Sequence, residues 1–344
     1  MALPNTDAAK PGLSPLHAAL REAAARSGFI ASGGVDISLA SAVFSEHVDR
    51  LDRWLEEGYH GTMEWIRRGR DRRADPTQVF QDAQSIFCVL LPYSAKPHGR
   101  LDPNEGVRYA RYLKGSDYHE DVAAKLNRVL TEVAEAQPDL KLQWKTCVDT
   151  SAVLERSWAY LAGLGWIGKN TLLIHPKWGS YHFIGAALLN HALDQAPNPM
   201  PNWCGSCERC LKQCPTNAFP QAGILDSNRC ISALTLENRS ETLPTQPELS
   251  TGTWVAGCDI CQEVCPFNLK RSRSEMNDSI PDFHPSDWKT LMEETEADYR
   301  VRVKNSALAR VKPQQFKRNL EAAARNSQSQ VSIEEKNHAS VKSE

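Results

Sequence analysis

The chain has 344 residues, of which 41% are hydrophobic and 24% are charged, the proportions of a soluble globular protein. Its formal net charge of −2 provides no global field that would draw it to nucleic acid, so a polyanionic partner would have to meet a local basic patch. No apolar run reaches the roughly 18 residues needed to span a bilayer, and the N-terminus lacks an apolar signal segment and a twin-arginine signal. We therefore expect a cytoplasmic protein, acting as a monomer, without membrane contact.

Polar segments without apolar periodicity lie at both ends, and residues 1–14 and 327–344 are predicted to be disordered tails. Helical spacing of apolar residues predicts helices at His17–Ser27, Leu39–Glu57 and Tyr118–Glu135. Short apolar runs bounded by turn residues predict strands at Ser85–Leu91, Lys141–Val148, Thr171–Ile174 and His182–Leu189. This mixture of helices and strands indicates one α/β or α+β domain over 15–193.

The segment Asp194–Asn202 has three prolines in nine residues and is typical of a linker. It opens a cysteine-rich module with few strand signals, which we place at 194–275. The region after it, 276–326, is basic and has helical spacing. The predicted organisation is thus an α/β domain, a cysteine module and a short helical region between two tails.

Eight of the ten cysteines fall between Cys204 and Cys265. Because the cytoplasm keeps thiols reduced, a dense cluster of this kind indicates metal binding. The first run, Cys204, Cys207, Cys210 and Cys214, has the C-x2-C-x2-C-x3-C-P spacing of bacterial ferredoxins, in which the fourth cysteine serves the other [4Fe–4S] cluster. A zinc site is the alternative, but zinc prefers two C-x2-C pairs about 12–20 residues apart.

The second run offers three cysteines, Cys258, Cys261 and Cys265, again ending in Cys-Pro. Two cubanes need eight thiolates, and Cys230 between the runs supplies the missing one. The crossed ferredoxin pattern then predicts two sets. They are Cys204, Cys207, Cys210 and Cys265 for one cluster, and Cys214, Cys230, Cys258 and Cys261 for the other.

Two such clusters carry single electrons, and a bare carrier needs only about 60 residues. This chain has about 190 residues ahead of the module, so the electrons are expected to reach a second redox centre there. A ferredoxin-type electron-transfer protein with an unrelated domain remains the alternative.

Several motifs resemble those of the epoxyqueuosine reductase family. They are VDTSAVLERSWAYLAGLGWIGKNTLLI at 148–174, together with RRADP, ARYLKGSDYH, CISALTLE and GCDICQEVCPFN. The resemblance runs from about residue 58 to 326. It implies a cobalamin-dependent iron–sulfur enzyme related to reductive dehalogenases, with an α+β fold whose N-terminal domain is nitroreductase-like. A dehalogenase-like activity is the alternative enzyme.

The resemblance also implies the reaction, which is reduction of the epoxide of epoxyqueuosine in a tRNA anticodon loop to give queuosine. This takes two electrons, from a low-potential donor not identified by the sequence, and two protons. Asp149, directly after a predicted strand, is the implied proton donor. From the residues alone, Asp149 could equally be the N-cap of a helix over 151–162, since Asp-Thr-Ser is good capping chemistry.

The cobalamin contacts implied by the resemblance include the glycine-rich stretch GLGWIGKN at 163–170, which fits neither nucleotide-binding loop. Tyr112 takes the place at which some relatives have a cysteine near the cobalt. Asp117, Tyr118 and His119 either touch cofactor or substrate or start a helix. Cofactor contacts are expected from Arg73, Tyr112, Asp149, Lys169, Asn170, Ser180 and Ser232.

No histidine ligand to cobalt is expected, so the cobalamin would be base-off. The stretch Asp282-Phe283-His284 begins a D-x-H-x-x-G motif, but Asp287 stands where the glycine belongs.

Two local patches are basic despite the neutral balance. RRGRDRR at 67–73 has five arginines and one aspartate, and 298–326 has eight Lys and Arg against two acids. Such patches neutralise phosphates without reading sequence, although a charge run is usually a solvated face. The resemblance assigns tRNA binding to the second patch, with Arg300, Arg302, Arg310, Lys312, Lys317 and Arg318 as the candidate contacts.

Overall fold

The computed structural model describes residues 13–93, 106–113, 115–269 and 287–341. The helices are α1 Pro15–Arg26, α2 Ile37–Glu56, α3 Glu64–Arg68, α4 Arg70–Ala74, α5 Tyr118–Ala136, α6 Glu155–Leu161, α7 Arg209–Lys212, α8 Ile231–Leu236, α9 Ile260–Glu263, α10 Pro266–Leu269, α11 Trp288–Glu293, α12 Glu296–Val303 and α13 Pro313–Val341. The strands are β1 Ala31–Asp36, β2 Ser85–Pro92, β3 Arg108–Tyr109, β4 Trp144–Cys147, β5 Trp166–Ile167, β6 Leu173–Ile174, β7 His182–Leu189 and β8 Trp254–Ala256.

Local sequence chemistry explains where the long helices begin. The Ser14 side chain accepts a hydrogen bond from the His17 amide, and Pro15 occupies the first turn of α1. The Asp117 carboxylate accepts one from the His119 amide at the start of α5. Both helices lie within a residue or two of their predicted bounds, and their apolar faces are buried against the sheet.

The central sheet is antiparallel and has the strand order β1-β2-β7-β4. Helices α1 and α5 cover one face, with Leu20, Leu126 and Leu130 fully buried there. Helices α2 and α6 cover the other, where Phe44 stacks on Trp158 with ring centroids 4.1 Å apart. An antiparallel sheet between two helical layers makes the fold α+β.

Strand β1 was not predicted, because its sequence ASGGVD has two glycines and little apolar character. The packing explains the first of them, since a Cβ atom at Gly33 would lie 2.7 Å from the carbonyl oxygen of Ala162. The two cysteines outside the module, Cys88 and Cys147, are buried on the strands flanking β7, each in register with Ala186.

The cysteine module and the C-terminal helices do not simply follow the sheet domain in space. Strand β3, from the N-terminal part, pairs in parallel with β8 of the module. Around this pair, Tyr109, Val255 and Phe316 share one hydrophobic cluster with residues of α11 and α12. The three predicted regions therefore share a core.

The C-terminal end differs from the predicted tail, because α13 continues to Val341, well into 327–344. Residues such as Glu321, Ala322 and Ala323 have high helix propensity, so a helix begun in the core can extend through them. Within the described ranges, no helix is long and apolar enough to cross a membrane.

Candidate functional site

Asp149 lies at the end of the sheet, two residues beyond β4. Its backbone is left-handed, with φ of 57°, a conformation that aspartate tolerates better than most residues. Helix α6 begins only at Glu155, and its N-cap residue is Leu154. The capping alternative is therefore wrong, and the Asp149 side chain is 67% exposed.

Two residues at the start of α5 hold the Asp149 carboxylate. The Tyr118 hydroxyl donates to Oδ2 at 3.0 Å, and Nε2 of His119 lies 3.2 Å from the same oxygen. The other nitrogen of His119, Nδ1, lies 2.5 Å from Oδ1 of Asp117. The Asp117–His119 stretch thus starts a helix, which is one of its two predicted roles, and it also contacts the candidate acid. Its contact with cofactor or substrate stays a prediction.

Partial desolvation by the surrounding protein acts to raise the pKa of Asp149, although most of the side chain is accessible. The hydrogen bond and charge of His119 and the Tyr118 hydroxyl outweigh this effect and lower the pKa below the ordinary value. Glu155, six residues on, behaves in the opposite way. Burial raises its pKa to about 8, with a smaller contribution from the charge of Asp149. The site therefore contains one ionised and one neutral carboxyl group near pH 7.

Aromatic side chains pack around Tyr118, the residue whose hydroxyl donates to Asp149. The Tyr118 ring stacks on Phe183 of β7 with centroids 4.2 Å apart and an interplanar angle of 2°. Tyr112 packs edge-on against Tyr118 at 5.9 Å, and burial raises its pKa well above the ordinary value. Tyr112 therefore lies within electrostatic range of Asp149 and remains a neutral phenol, and its contact with the cofactor stays a prediction.

Three predicted contacts occupy the seam between the sheet domain and the cysteine module. Asn170 is buried and donates through Nδ2 to the Cys261 carbonyl at 3.4 Å. The buried Ser180 hydroxyl donates to Gln262 Oε1 at 3.0 Å and accepts from Asn268 at the same distance. The Lys169 carbonyl accepts from the Gly223 amide at 2.8 Å.

The remaining predicted contacts are Ser232 and Arg73. Ser232 is in the first turn of α8, two residues after Cys230, and its amide acts to lower the pKa of the Cys230 thiol, which burial raises. Arg73 is buried at the end of α4, within electrostatic range of Asp149 and Glu155. The motif begun by Asp282 and His284 lies outside the described residues. The glycines of 163–170 are explained by packing: a Cβ at Gly168 would lie 2.8 Å from Asn170 Oδ1.

The charges of the module cysteines act on one another mostly within the two predicted sets, although Cys210 also acts on Cys261 of the other set. Burial raises the pKa of Cys210 to about 11, and the charges of Cys204 and Cys265 add to the shift. Burial also raises the pKa of Cys265, to which Cys204 and Cys207 contribute. These are the four thiols predicted for one cluster.

Burial also raises thiol pKa values in the second group. Burial raises the pKa of Cys230, with a contribution from Cys214, and that of Cys258, with contributions from Cys261 and Cys230. An N–H donor already contacts a sulfur here, from Ala218 to Cys214 at 3.3 Å. In the part of the chain that the structure describes, no three Cys, His, Asp or Glu side chains have the spacing of a single-ion site.

Four residues of the site were not predicted as functional: Trp65, Glu155, Arg156 and Glu237. Arg156 donates to the Thr171 carbonyl at 2.7 Å and lies in electrostatic range of Asp149. Glu237 follows α8 and carries a raised pKa, caused first by burial and then by the charge of Asp149. Glu155, Arg156 and Glu237 lie in quoted motifs that assign them no role, and only the fold brings the four residues together.

The C-terminal basic residues divide into two sets. Arg302 forms a bidentate ion pair with Glu294 at 2.6 and 2.7 Å, and its guanidinium lies 5.2 Å from the Tyr299 ring centroid. Arg318 is buried and donates to the carbonyls of Leu234 and Asn238. The structure thus assigns both arginines to internal contacts, and the expectation that they bind tRNA is corrected accordingly.

The others remain at the surface. Arg300 is 63% exposed and forms an i,i+4 pair with Glu296, and Arg310, Lys312 and Lys317 are exposed. A residue of a basic run binds phosphate only if its charge is not already used in the fold, which the sequence pattern does not reveal.

Two family models match the chain. The epoxyqueuosine reductase QueG model (DUF1730) matches residues 73–150, and the 4Fe-4S double cluster binding domain matches residues 203–268. The first match ends just after Asp149, and the second contains all eight module cysteines.

Relatives match over most of the chain. Epoxyqueuosine reductase of Prochlorococcus marinus (strain NATL2A) is 37% identical over 312 residues, which cover 89% of this chain and 96% of that protein. A solved epoxyqueuosine reductase in complex with an epoxyqueuosine-modified tRNA-Tyr stem loop is 27% identical, with a TM-score of 0.77 over 90% of this chain and 80% of that one.

A third relative is the epoxyqueuosine reductase of Bacillus subtilis, solved with its catalytic aspartate loop swung out of the active site. It is 26% identical, with a TM-score of 0.75 over 90% of this chain and 80% of that one. The identity and coverage of these matches establish that the chain belongs to the epoxyqueuosine reductase family, whose members are oxidoreductases.

Proposed function

We propose that this enzyme reduces the epoxide of epoxyqueuosine in the anticodon loop of tRNA, with Asp149 as the proton donor. Each turnover adds two electrons and two protons to the epoxide, breaks both of its carbon–oxygen bonds, and yields an alkene and water. Family membership supports the reaction, and a relative of the same fold has been solved with an epoxyqueuosine-modified stem loop.

The position of Asp149 is the observation that carries this proposal. Its carboxylate is held by two residues, Tyr118 and His119. Its left-handed backbone places it in a loop between β4 and α6. In the Bacillus subtilis relative, a loop with the catalytic aspartate leaves the active site, which is in keeping with a loop position for the acid here.

A proton donor has to be protonated when the substrate oxygen departs, whereas the pKa of Asp149 is lowered. Its side chain is 67% exposed in the structure. Bound cofactor and substrate would displace water from it, and desolvation favours the neutral form of a carboxyl group. We propose that His119 supplies the proton through Nε2, since that atom is hydrogen-bonded to Asp149 and the ring is held by Asp117.

Cobalamin is the proposed second redox centre, and when bound it would supply a strongly reducing nucleophile at cobalt. The residues fit such a group. Oε1 of Glu155 is buried without a hydrogen-bond partner in the structure, and the amides around a corrin ring are suitable donors to it. Arg73, Tyr112, Lys169 and Ser232 are the predicted contacts that would hold the cofactor.

Asn170 and Ser180 would instead support that pocket by joining the two modules, since their polar atoms are engaged in the seam. We retain the base-off proposal. His119, the histidine that contacts Asp149, has a carboxylate oxygen at each ring nitrogen, so it is placed for proton transfer.

Two [4Fe–4S] clusters are proposed in the crossed arrangement, and they would deliver electrons one at a time at low potential. Most of the mutual charge effects among the cysteines fall within the two sets and support them, while Cys210 also acts on Cys261. Asn170 connects the Cys261 backbone to the sheet domain, so the set that contains Cys261 is proposed to face that domain. The electron donor is proposed to be a low-potential partner, and the enzyme a cytoplasmic monomer.

The tRNA contacts are proposed to be Arg300, Arg310, Lys312 and Lys317, the exposed members of the predicted set. Arg310 lies nearest the chemistry, because its charge acts on both Tyr118 and Glu237. A modified base can reach Asp149 only when it is splayed out of its loop.

The test uses purified protein with both clusters and cobalamin, a chemical reductant and epoxyqueuosine tRNA, with the nucleoside product measured by mass spectrometry. Asp149→Asn should keep iron and cobalamin but lose at least about a hundredfold in turnover, the usual contribution of a general acid. Asp194→Asn is the matched control, since Asp194 is also exposed and left-handed, with φ of 55°. Full activity of Asp149→Asn would exclude it as the donor.

A further inference from the structure

Trp65 is the aromatic member of the exposed large hydrophobic residues that the structure describes, with 44% of its surface accessible. None of the hydrophobic clusters among these residues includes it. A single exposed apolar residue needs no explanation by itself. Trp65 is different because a buried guanidinium packs on its ring.

The guanidinium of Arg73 lies over the Trp65 ring, 5.1 Å from the centroid, and Arg73 is itself 7% exposed. The Trp65 indole also lies close enough to Glu237 to act on the pKa of that carboxyl group, which burial raises. The Thr62 hydroxyl, just before α3, donates to the Glu237 carbonyl at 3.3 Å, so this segment contacts the end of α8 in the cysteine module. The Trp65 ring is thus partly exposed, with the buried Arg73 packed on it.

The location of Trp65 is at the rim of the candidate site. Its two partners, Arg73 and Glu237, are each within electrostatic range of Asp149. Exposed arginines flank it along α3 and α4, at Arg68 and Arg72. Across the site, Arg310 is exposed and acts on the same Glu237.

A fixed aromatic ring between cations is the arrangement by which proteins bind unpaired nucleotides, since bases stack on the ring while the cations neutralise phosphates. We infer that Trp65 is a stacking platform for an unpaired base of the tRNA loop adjacent to the modified nucleotide. This inference rests on the proposed function, because it assumes that the modified base binds beside Asp149.

The experiment measures binding and turnover of an epoxyqueuosine-modified stem loop by the holoenzyme. Stacking contributes roughly 1–3 kcal/mol per base, so Trp65→Ala should raise the Kd and KM by about 5- to 150-fold and leave kcat at saturation within about twofold. Trp65→Phe, which keeps a ring over Arg73, should recover most of the affinity. Leu39→Ala, at a position 55% exposed on α2, is the control and should bind as wild type.

Salt dependence separates stacking from charge. Trp65→Ala should leave the slope of log Kd against log salt unchanged, whereas Arg68→Ala should reduce it by about one. Wild-type affinity in Trp65→Ala, or loss of bound cobalamin from it in the absorbance spectrum, would overturn the inference. Wild-type enzyme that binds the stem loop without reducing it would overturn the proposed function alone, and wild-type enzyme that fails to bind it would overturn both.

Discussion

Nε2 of His119 lies 3.2 Å from Oδ2 of Asp149, and Nδ1 of the same ring lies 2.5 Å from Oδ1 of Asp117. The imidazole thus bridges two carboxylates of unequal exposure, since the Asp117 side chain is 19% accessible and that of Asp149 is 67%. The Asp117 end of the bridge is part of a helix cap, and the Asp149 end is at the surface. A proton held on this ring has a direct route to the candidate donor.

The bridge predicts how the pH profile responds to its removal. His119 is a principal cause of the lowered pKa of Asp149, so His119→Gln should raise that pKa. A general acid works below its pKa, and activity is lost as pH rises through it. In the pH profile of the single-turnover rate, the basic limb should therefore move to higher pH by roughly one unit.

The control for this experiment is Asp117→Asn. Asparagine is a good N-cap, and the variant keeps the contact between His119 and Asp149. Its basic limb should move less than that of His119→Gln. A limb in His119→Gln that stays in place or moves to lower pH would contradict the assignment of Asp149 as the acid.

The ligand assignment predicts the iron content of a single variant. Cys230 lies outside both cysteine runs, and its thiol is influenced by Cys214. Cys230→Ala should lose about half of the iron, because one cubane keeps its four thiolates and the other does not. Cys88→Ala, a fully buried thiol of the sheet, should keep all of it. Unchanged iron in Cys230→Ala, measured by colorimetric assay, would refute the crossed pairing.

Much of the sheet domain could be predicted because its elements follow simple periodicity. Strands β2 and β7 lie within a residue of their predicted bounds. Strand β1 could not be predicted, since Gly33 is required by a backbone contact from a distant segment. Periodicity reports which face of an element is buried, and it contains no information on close approaches between elements.

The candidate site shows the same division. Asp149 was identified through a motif, while Glu155 was not, although it lies in the same quoted stretch. Its functional character comes from burial beside Asp149 and Arg73, which depends on tertiary structure. The basic run likewise contained Arg302 and Arg318, whose partners come from elsewhere in the chain. Sequence identifies such charges but does not identify their partners.

Two buried histidines predict a loss of stability in acid. The pKa of His17 is lowered to about 4, first by burial and then by Arg21. That of His47 is also lowered to about 4, by burial and Arg50, against a smaller opposite effect of Glu46. Both are neutral in the folded protein at pH 5, whereas the unfolded chain protonates them near pH 6.5.

The unfolded state therefore binds more protons between pH 6.5 and 4, and stability falls as pH falls through this window. Each histidine contributes about 3 kcal/mol to the loss. His17→Leu should reduce the difference between the urea midpoints at pH 7.5 and pH 4.5. Since carboxylates titrate in both proteins, the difference between variant and wild type is the quantity to compare. Equal differences would contradict a neutral buried His17.

The neighbouring residues Lys317 and Arg318 provide the last prediction. Arg318 is buried, and its guanidinium donates to the Asn238 carbonyl at 3.0 Å and to the Leu234 carbonyl at 3.3 Å. Arg318→Ala leaves these acceptors without their charged donor, and it should destabilise the protein by roughly 2–4 kcal/mol. Lys317 is exposed, so Lys317→Ala should change stability by less than about 0.5 kcal/mol.

For RNA binding, the larger effect should come from Lys317→Ala, the variant with the smaller effect on stability. Lys317→Ala should weaken stem-loop binding and reduce the salt slope by about one, because it removes one phosphate contact. Arg318→Ala, assayed below its lowered melting temperature, should keep the wild-type slope. If Arg318→Ala were as stable as wild type and lost the salt-dependent contact instead, its buried hydrogen bonds would not be its role, and the C-terminal helix would bind RNA through a different face.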